Sequence, residues 1–268
     1  MTLLSVIKDV CATVGVALPQ SVFSNLTGNR TMQEMLSLAN EMAQRIAYDS
    51  RDWTKLRTLA TLTGDAAWTG VPLSSLPADQ VWVGGTQAFN LPANYKRMLL
   101  TSNVWRSTST QTPMRFIPDT EEWMRRRAAN ASDNAWGEWT IMGGKIHVWP
   151  IMHAVKPAIP GPPLVPAVPV ETAYFSYLDK NCIDLASGGR GDQFMADTDS
   201  FTLDERVLKL AMIWQWKAQK GSPYAEDMGT YGDALTMAMG HDSPAPIILG
   251  RQPISASARV AYPWALPT

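Results

Sequence analysis

Apolar positions recur at steps of three and four near both ends of the chain and at steps of two in its middle. That pattern predicts helices framing a strand-rich insertion. A first helix is expected over about 2–14, where Leu3, Ile7, Val10, Cys11 and Val14 share a face and Gly15 stands in the cap position. A second is expected over 31–49. Thr31 and Glu34 have the spacing of a capping box, and Met32, Met35, Leu36, Ala39, Met42, Ala43 and Ile46 form a narrow apolar stripe.

Toward the other end, Thr202 and Glu205 repeat the capping-box spacing and open a helix expected over 202–220. Leu203, Val207, Leu210, Ala211, Trp214 and Ala218 mark one face, while Leu208, Met212, Ile213 and Trp216 make other faces apolar. A helix apolar on several sides is either central or covered by another subunit. Gly221 ends it, and Ser222-Pro223 supplies a cap and first turn for a fourth helix over 223–239, lined by Tyr224, Met228, Tyr231, Leu235 and Ala238. So short a connection makes these two helices antiparallel neighbours.

The middle reads as strands. "QVWVGGTQAFNLP" and "EWTIMGGKIHVWP" each set Gly-Gly between β-favouring runs, a hairpin signal, and "ETAYFSYLD" (171–179) adds another strand. One helix, "DTEEWMRRRAAN" (119–130), is acidic at its start and basic at its end, as the helix dipole favours. Six prolines in 156–170 exclude a helix or a central strand there and predict an extended arm. The expected architecture is α+β: a four-helix bundle built from both ends of the chain (1–53 and 181–240), an inserted β-rich domain (54–180), and an extended C-terminal arm (241–268).

Composition adds bounds. The chain has 268 residues, 46% of them hydrophobic, enough for a sizeable core. A formal charge of −1 gives no general electrostatic case for a nucleic-acid or membrane-surface partner. Cys11 and Cys182 are the only cysteines, which predicts buried free thiols rather than a disulfide framework or a cysteine metal cluster. No basic n-region precedes the first apolar run and no 18-residue apolar stretch occurs, so a soluble protein made in the cytoplasm is expected.

The search for chemistry comes up empty. His147, His153 and His241 are scattered, and "SGGRGD" (187–192) lacks the Lys-Ser/Thr of a phosphate-binding loop. Asp192, Asp197, Asp199 and Asp204 resemble a carboxylate cluster. Counted from Asp197, however, an EF-hand's glycine and glutamate positions hold Thr202 and Leu208, so turn and helix-cap duty is the preferred reading. Most of the 11 tryptophans fit core patterns. Arg125, Arg126 and Arg127 end a helix and read as a solvated or inter-subunit basic patch. No catalytic residue, metal or cofactor is assigned.

The order of features resembles the head-to-tail adaptor proteins of tailed bacteriophages, including the tail tubular protein A type. The similarity lies in "LLSVIKDVCATVGV", "LANEMAQRIAYDSRDWTKL", "FNLPANYKRM", "MGGKIHVWP" and "YFSYLD". "DSFTLDERVLKLAMIWQWKAQKGSPYAEDMGTYGDAL" carries most of it. The resemblance implies a structural virion protein at the capsid–tail junction: a ring of identical subunits, a dodecamer, bound to the portal protein and to a tail or tail-completion protein. Viral DNA would pass through its channel without specific binding. The chain is distinguished from shorter adaptors by its large insertion and proline-rich arm.

On that reading Trp214 and Trp216, with the three arginines, are inter-subunit candidates. The arm 241–268 carries five prolines, which favour extended geometry, and is expected to dock on the portal. Its apolar residues Ile247, Ile248 and Leu249 belong to the docking segment. Tyr262 and Trp264 are its expected anchors, and Arg251 and Arg259 its carboxylate-pairing groups. Two alternatives stand beside the adaptor: a hydrolase using Asp197, Asp199 or Glu205, and a carbohydrate- or base-binding module whose β-domain tryptophans stack on the ligand.

Overall fold

A computed structural model describes residues 2–26, 28–64, 87–99, 102–107, 112–129, 137–152 and 170–242. The hairpin expected around Gly84-Gly85, the proline-rich run 156–170 (Val170 apart) and the arm beyond Asp242 lie outside these residues.

Five helices are described: α1 (Leu3–Val14), α2 (Arg30–Tyr48), α3 (Thr120–Ala128), α4 (Glu205–Gln219) and α5 (Ala225–Asp242). The first keeps its expected ends. Thr2 and Ser5 form a reciprocal capping box, and Gly15 closes the helix at φ 75°. The other starts differ from the spacing argument. Asn29 caps α2 by accepting from the N–H of Met32, and Asp204 caps α4 by accepting from the N–H of Arg206. In both cases an Asx side chain takes the role assigned to threonine, two positions earlier in α2 and two later in α4.

The expected four-helix bundle does not form. Instead α4 is a hub, packed against α1, α2 and α5, and the rest of its surroundings come from strands and loops. Val207, Leu208, Ala211, Met212, Ile213 and Trp216 of α4 are buried together with Trp53, Leu56, Leu178, Cys182, Ile183, Phe194 and Phe201. The helix that is apolar on several sides is therefore central. By contrast, α5 sends only Ala234 fully into the core, so it flanks the hub instead of completing a bundle. Lysines of α4 and of its C-cap reach each neighbour: Lys209 to Asp9 of α1 (3.3 Å), Lys220 at the cap to Glu34 of α2 (2.6 Å) and Lys217 to Asp227 of α5 (2.6 Å).

The described middle consists of strands and α3. One sheet joins β1 (Arg57–Thr63), β8 (Thr172–Asp179), β3 (Tyr95–Met98) and β4 (Trp105–Arg106), with β8 in the middle. A second runs β2 (Gln87–Asn90), β7 (Lys145–Trp149), β6 (Glu138–Met142) and β5 (Arg115–Phe116). The β6–β7 hairpin turns on Gly143 and Gly144, both at positive φ (57° and 73°), as a two-residue turn of this twist requires. Inward side chains of both sheets, among them Leu62, Ile146, Val148, Phe175 and Tyr177, build a second buried cluster. A small third sheet, β9 (Ile183–Asp184) between β10 (Arg190–Gly191) and β11 (Ser200–Phe201), closes over the helical core.

Candidate interaction surfaces

The segment 192–204 ties both chain ends together and uses the candidate carboxylates to do so. The carbonyls of Asp199 and Asp197 accept from the first free N–H groups of α1, on Leu3 (2.7 Å) and Leu4 (3.1 Å). The Asp197 carboxylate accepts from the N–H groups of Val22 (3.0 Å) and Phe23 (3.2 Å). Asp199 is buried and accepts from the N–H groups of Ala186, Met195 and Ala196 at 2.7–2.9 Å. Burial alone would raise its pKa, but these three donors outweigh it and hold the carboxyl below its ordinary range. Asp204 caps α4, and Glu205 stands in its first turn. Turn and cap duty is where the structure places these side chains, and no metal-binding cluster occurs among the described residues.

Of the three arginines ending α3, only Arg125 faces solvent. Arg126 pairs with Glu122 (2.8 Å) and with Glu138 (3.0 Å), a glutamate with no exposed surface at the start of β6. Arg127 also binds Glu138, and its guanidinium lies 4.6 Å from the Trp123 ring and 3.9 Å from the Trp149 ring. Two members of the expected basic patch therefore fasten α3 to the second sheet. No local pattern announces this, since the alternation of "EWTIM" sets Glu138 on the face opposite Trp139 and Ile141, where a carboxylate reads as outward-facing.

Trp214 lies between α4 and α5, its ring 6.4 Å from Tyr224 and 6.1 Å from Tyr231. Trp216 is buried in the core with the Lys220 ammonium 4.6 Å from its ring. The exposed surface beside them is the outer side of α5. Met228 and Met237 are 50% and 60% exposed there. Gly229, Gly232 and Gly240 share this helix, and a Cβ at any of them would meet no atom within 4 Å. Each glycine costs a helix about 1 kcal/mol relative to alanine, so nothing in the described chain repays them.

The C-terminal end of α5 is pinned. Asp242 accepts from the N–H and hydroxyl of Thr54 and lies 3.8 Å from the Arg51 guanidinium, which also donates to the carbonyl of Met239. Beside this tether is a cleft of about 300 Å³ lined by Trp53, Lys55, Leu203, Ala238, His241 and Asp242. Sequence reasoning missed Arg51, Thr54 and Asp242, since a contact between positions 188 residues apart leaves no local pattern. The arm residues Ile247, Ile248, Leu249, Arg251, Arg259, Tyr262 and Trp264 lie outside the described residues, as does His153.

The thiols are both buried and free. Burial raises that of Cys11 and pushes that of Cys182 up to about 11. No described helix is long and apolar enough to cross a membrane. Comparison of this chain with protein-family models and with curated proteins finds no match in either.

Proposed function

We propose that this protein is a structural virion component, a head-to-tail adaptor that assembles as a ring of identical subunits between the capsid portal and the tail. The observation that carries the reading is the outer side of α5: a helix fixed to its own subunit by Trp214 and the Asp242 tether, yet bearing two exposed methionines and three glycines that its own subunit does not use. Bare glycine backbone admits a close-packed neighbour, and methionine adapts to its surface. The wedge of α4 and α5 would then tile around the DNA channel. Portal docking is assigned to the arm from its sequence and from the resemblance described above. The candidate carboxylates are spent on backbone N–H groups and helix starts, which weighs against the hydrolase.

Electron microscopy of the purified protein added to portal-bearing capsids tests this reading. A ring of this chain beneath the portal is expected, and capsids that gain no such density would refute it. A second reading, a stacking module for sugars or bases, has one observation in its favour. Trp105 and Tyr174 are paired across β4 and β8 on an exposed sheet face. Quenching of tryptophan emission by an oligosaccharide or oligonucleotide, lost in Trp105→Ala, would favour that reading.

A further inference from the structure

A ring that grows head to tail needs two different patches on each subunit, one the complement of the other. The outer side of α5 supplies the first. This helix carries four acidic residues and no lysine or arginine. Asp227 and Asp242 are engaged within the subunit, by Lys217 and by Thr54 with Arg51. Glu226, Asp233 and Met237 are exposed, and their steps of seven and four residues set them on one stripe. Paired with itself about a twofold axis, α5 would bring acid against acid with no basic side chain of its own to offset them.

The second patch lies at the C-terminal ends of α1 and α4. A hollow of about 520 Å³ there has Val14, Trp216 and Pro223 as its apolar lining, with Thr13, Lys217 and Lys220 around them. It has room for a long side chain such as methionine. Each lysine makes one ion pair within its own subunit, to Asp227 and to Glu34 at 2.6 Å. An ammonium has three donors, so each lysine can hold a further carboxylate. Pro223 precedes α5, whereas Met237 follows Ala225 by twelve residues, about 18 Å along the helix. The two patches are therefore separate, and one subunit can give the first while it takes the second.

We infer that this hollow receives α5 of a second copy: Met237 enters the apolar lining, and Glu226 and Asp233 meet Lys217 and Lys220. Opposite charge fixes the direction of the contact, and methionine adapts to the space it fills. The inference rests on the adaptor reading for its ring and names the receiving face, which that reading leaves open.

Cysteine trapping in the full chain tests it. Thr13 and Met237 are both exposed, and the native Cys11 and Cys182 are buried. A chain carrying Thr13→Cys and Met237→Cys together is oxidised mildly at assembly concentration and separated without reductant. Expected is a ladder of covalent dimers, trimers and larger species, with dimers alone when the two single variants are mixed. Added Asp233→Lys should slow the ladder about tenfold or more, since it sets a third ammonium against the two lysines. The inference is overturned if the doubly substituted chain stays monomeric or stops at dimers, or if Asp233→Lys traps as fast. Capsids that gain a ring while no ladder forms would refute the hollow and leave the adaptor standing. A ladder without ring density beneath the portal would do the reverse.

Discussion

Asp242, at the last turn of α5, holds the backbone N–H of Thr54 at 3.0 Å and its hydroxyl as well, joining positions far apart in sequence at the seam between helices and strands. Arg51 adds a charge to the same carboxylate and a hydrogen bond to the carbonyl of Met239, satisfying an end of the helix that would otherwise lack partners. Asp242→Ala removes both bonds and the favourable charge arrangement. A loss of about 1–2 kcal/mol is expected, measured by urea unfolding. Amide exchange should quicken in the last turn of α5 and at Thr54 and leave α1 unaffected. A uniform loss of protection across the chain would contradict a local tether.

Glu138 offers a sharper test of buried charge. It has no exposed surface and serves Arg126 and Arg127 together, with Arg127 also enclosed by two tryptophan rings. Glu138→Leu removes the buried carboxylate that Arg126 and Arg127 share, while Arg126 keeps Glu122, and a destabilisation of about 3–5 kcal/mol is expected. The double substitution Glu138→Leu, Arg127→Met should recover a large part of it, since keeping the buried Arg127 charge without this carboxylate costs more than the attraction it loses. A double-mutant cycle in urea measures this, and a double variant no better than the single one would sink the argument.

The pH dependence follows from Asp199. Its folded carboxyl titrates below the ordinary value of 3.8, because three backbone donors favour the anion more than burial disfavours it. In the unfolded chain the group titrates at its ordinary value. The stabilisation is therefore fully present above the unfolded pKa and is lost as pH falls through the folded one. Thermal unfolding from pH 6 down to pH 2 should show melting temperature falling at the acid end, and Asp199→Asn should be less stable at pH 6 with a shallower acid slope. An unchanged slope would place the acid sensitivity in other groups.

These tests also show what the sequence could and could not reveal. Helical periodicity located α1, α2 and α4, because an apolar stripe is a local property of 3.6-residue spacing. Gly143-Gly144 announced the β6–β7 hairpin because positive φ at both positions is a local demand of that turn. The bundle was misjudged because periodicity says which face is apolar and not what covers it. Around α4 the covering comes from Leu178 at the end of β8 and from Ile183, Phe194 and Phe201, in two-residue strands and a loop whose own patterns are too short to read. Tyr224, just before α5, and Met228 within it fell on the expected stripe yet are exposed, since among the described helices α5 packs on α4 along one side. The carboxylates at 197, 199 and 204 were legible as turn and cap residues, but their partners, from Val22 to Ala196, were set by tertiary structure.

The outer side of α5 separates a free surface from a subunit contact through one glycine. Gly232 is helical and a Cβ there would meet nothing within 4 Å, so in an isolated subunit Gly232→Ala gains helix propensity of about 1 kcal/mol. In a ring that packs another copy against this backbone, the added methyl group stands in the contact, and a larger group there separates the helices outright. Gly232→Leu and Met237→Glu should therefore leave far-UV circular dichroism and the monomer's melting temperature unchanged or raised, while light scattering at assembly concentrations reports smaller species. Gly232→Ala supplies the graded case: a more stable monomer with weaker assembly. If Gly232→Leu and Met237→Glu both assemble as the unmodified protein does, the outer side of α5 is not the contact, and a ring would have to close through another face.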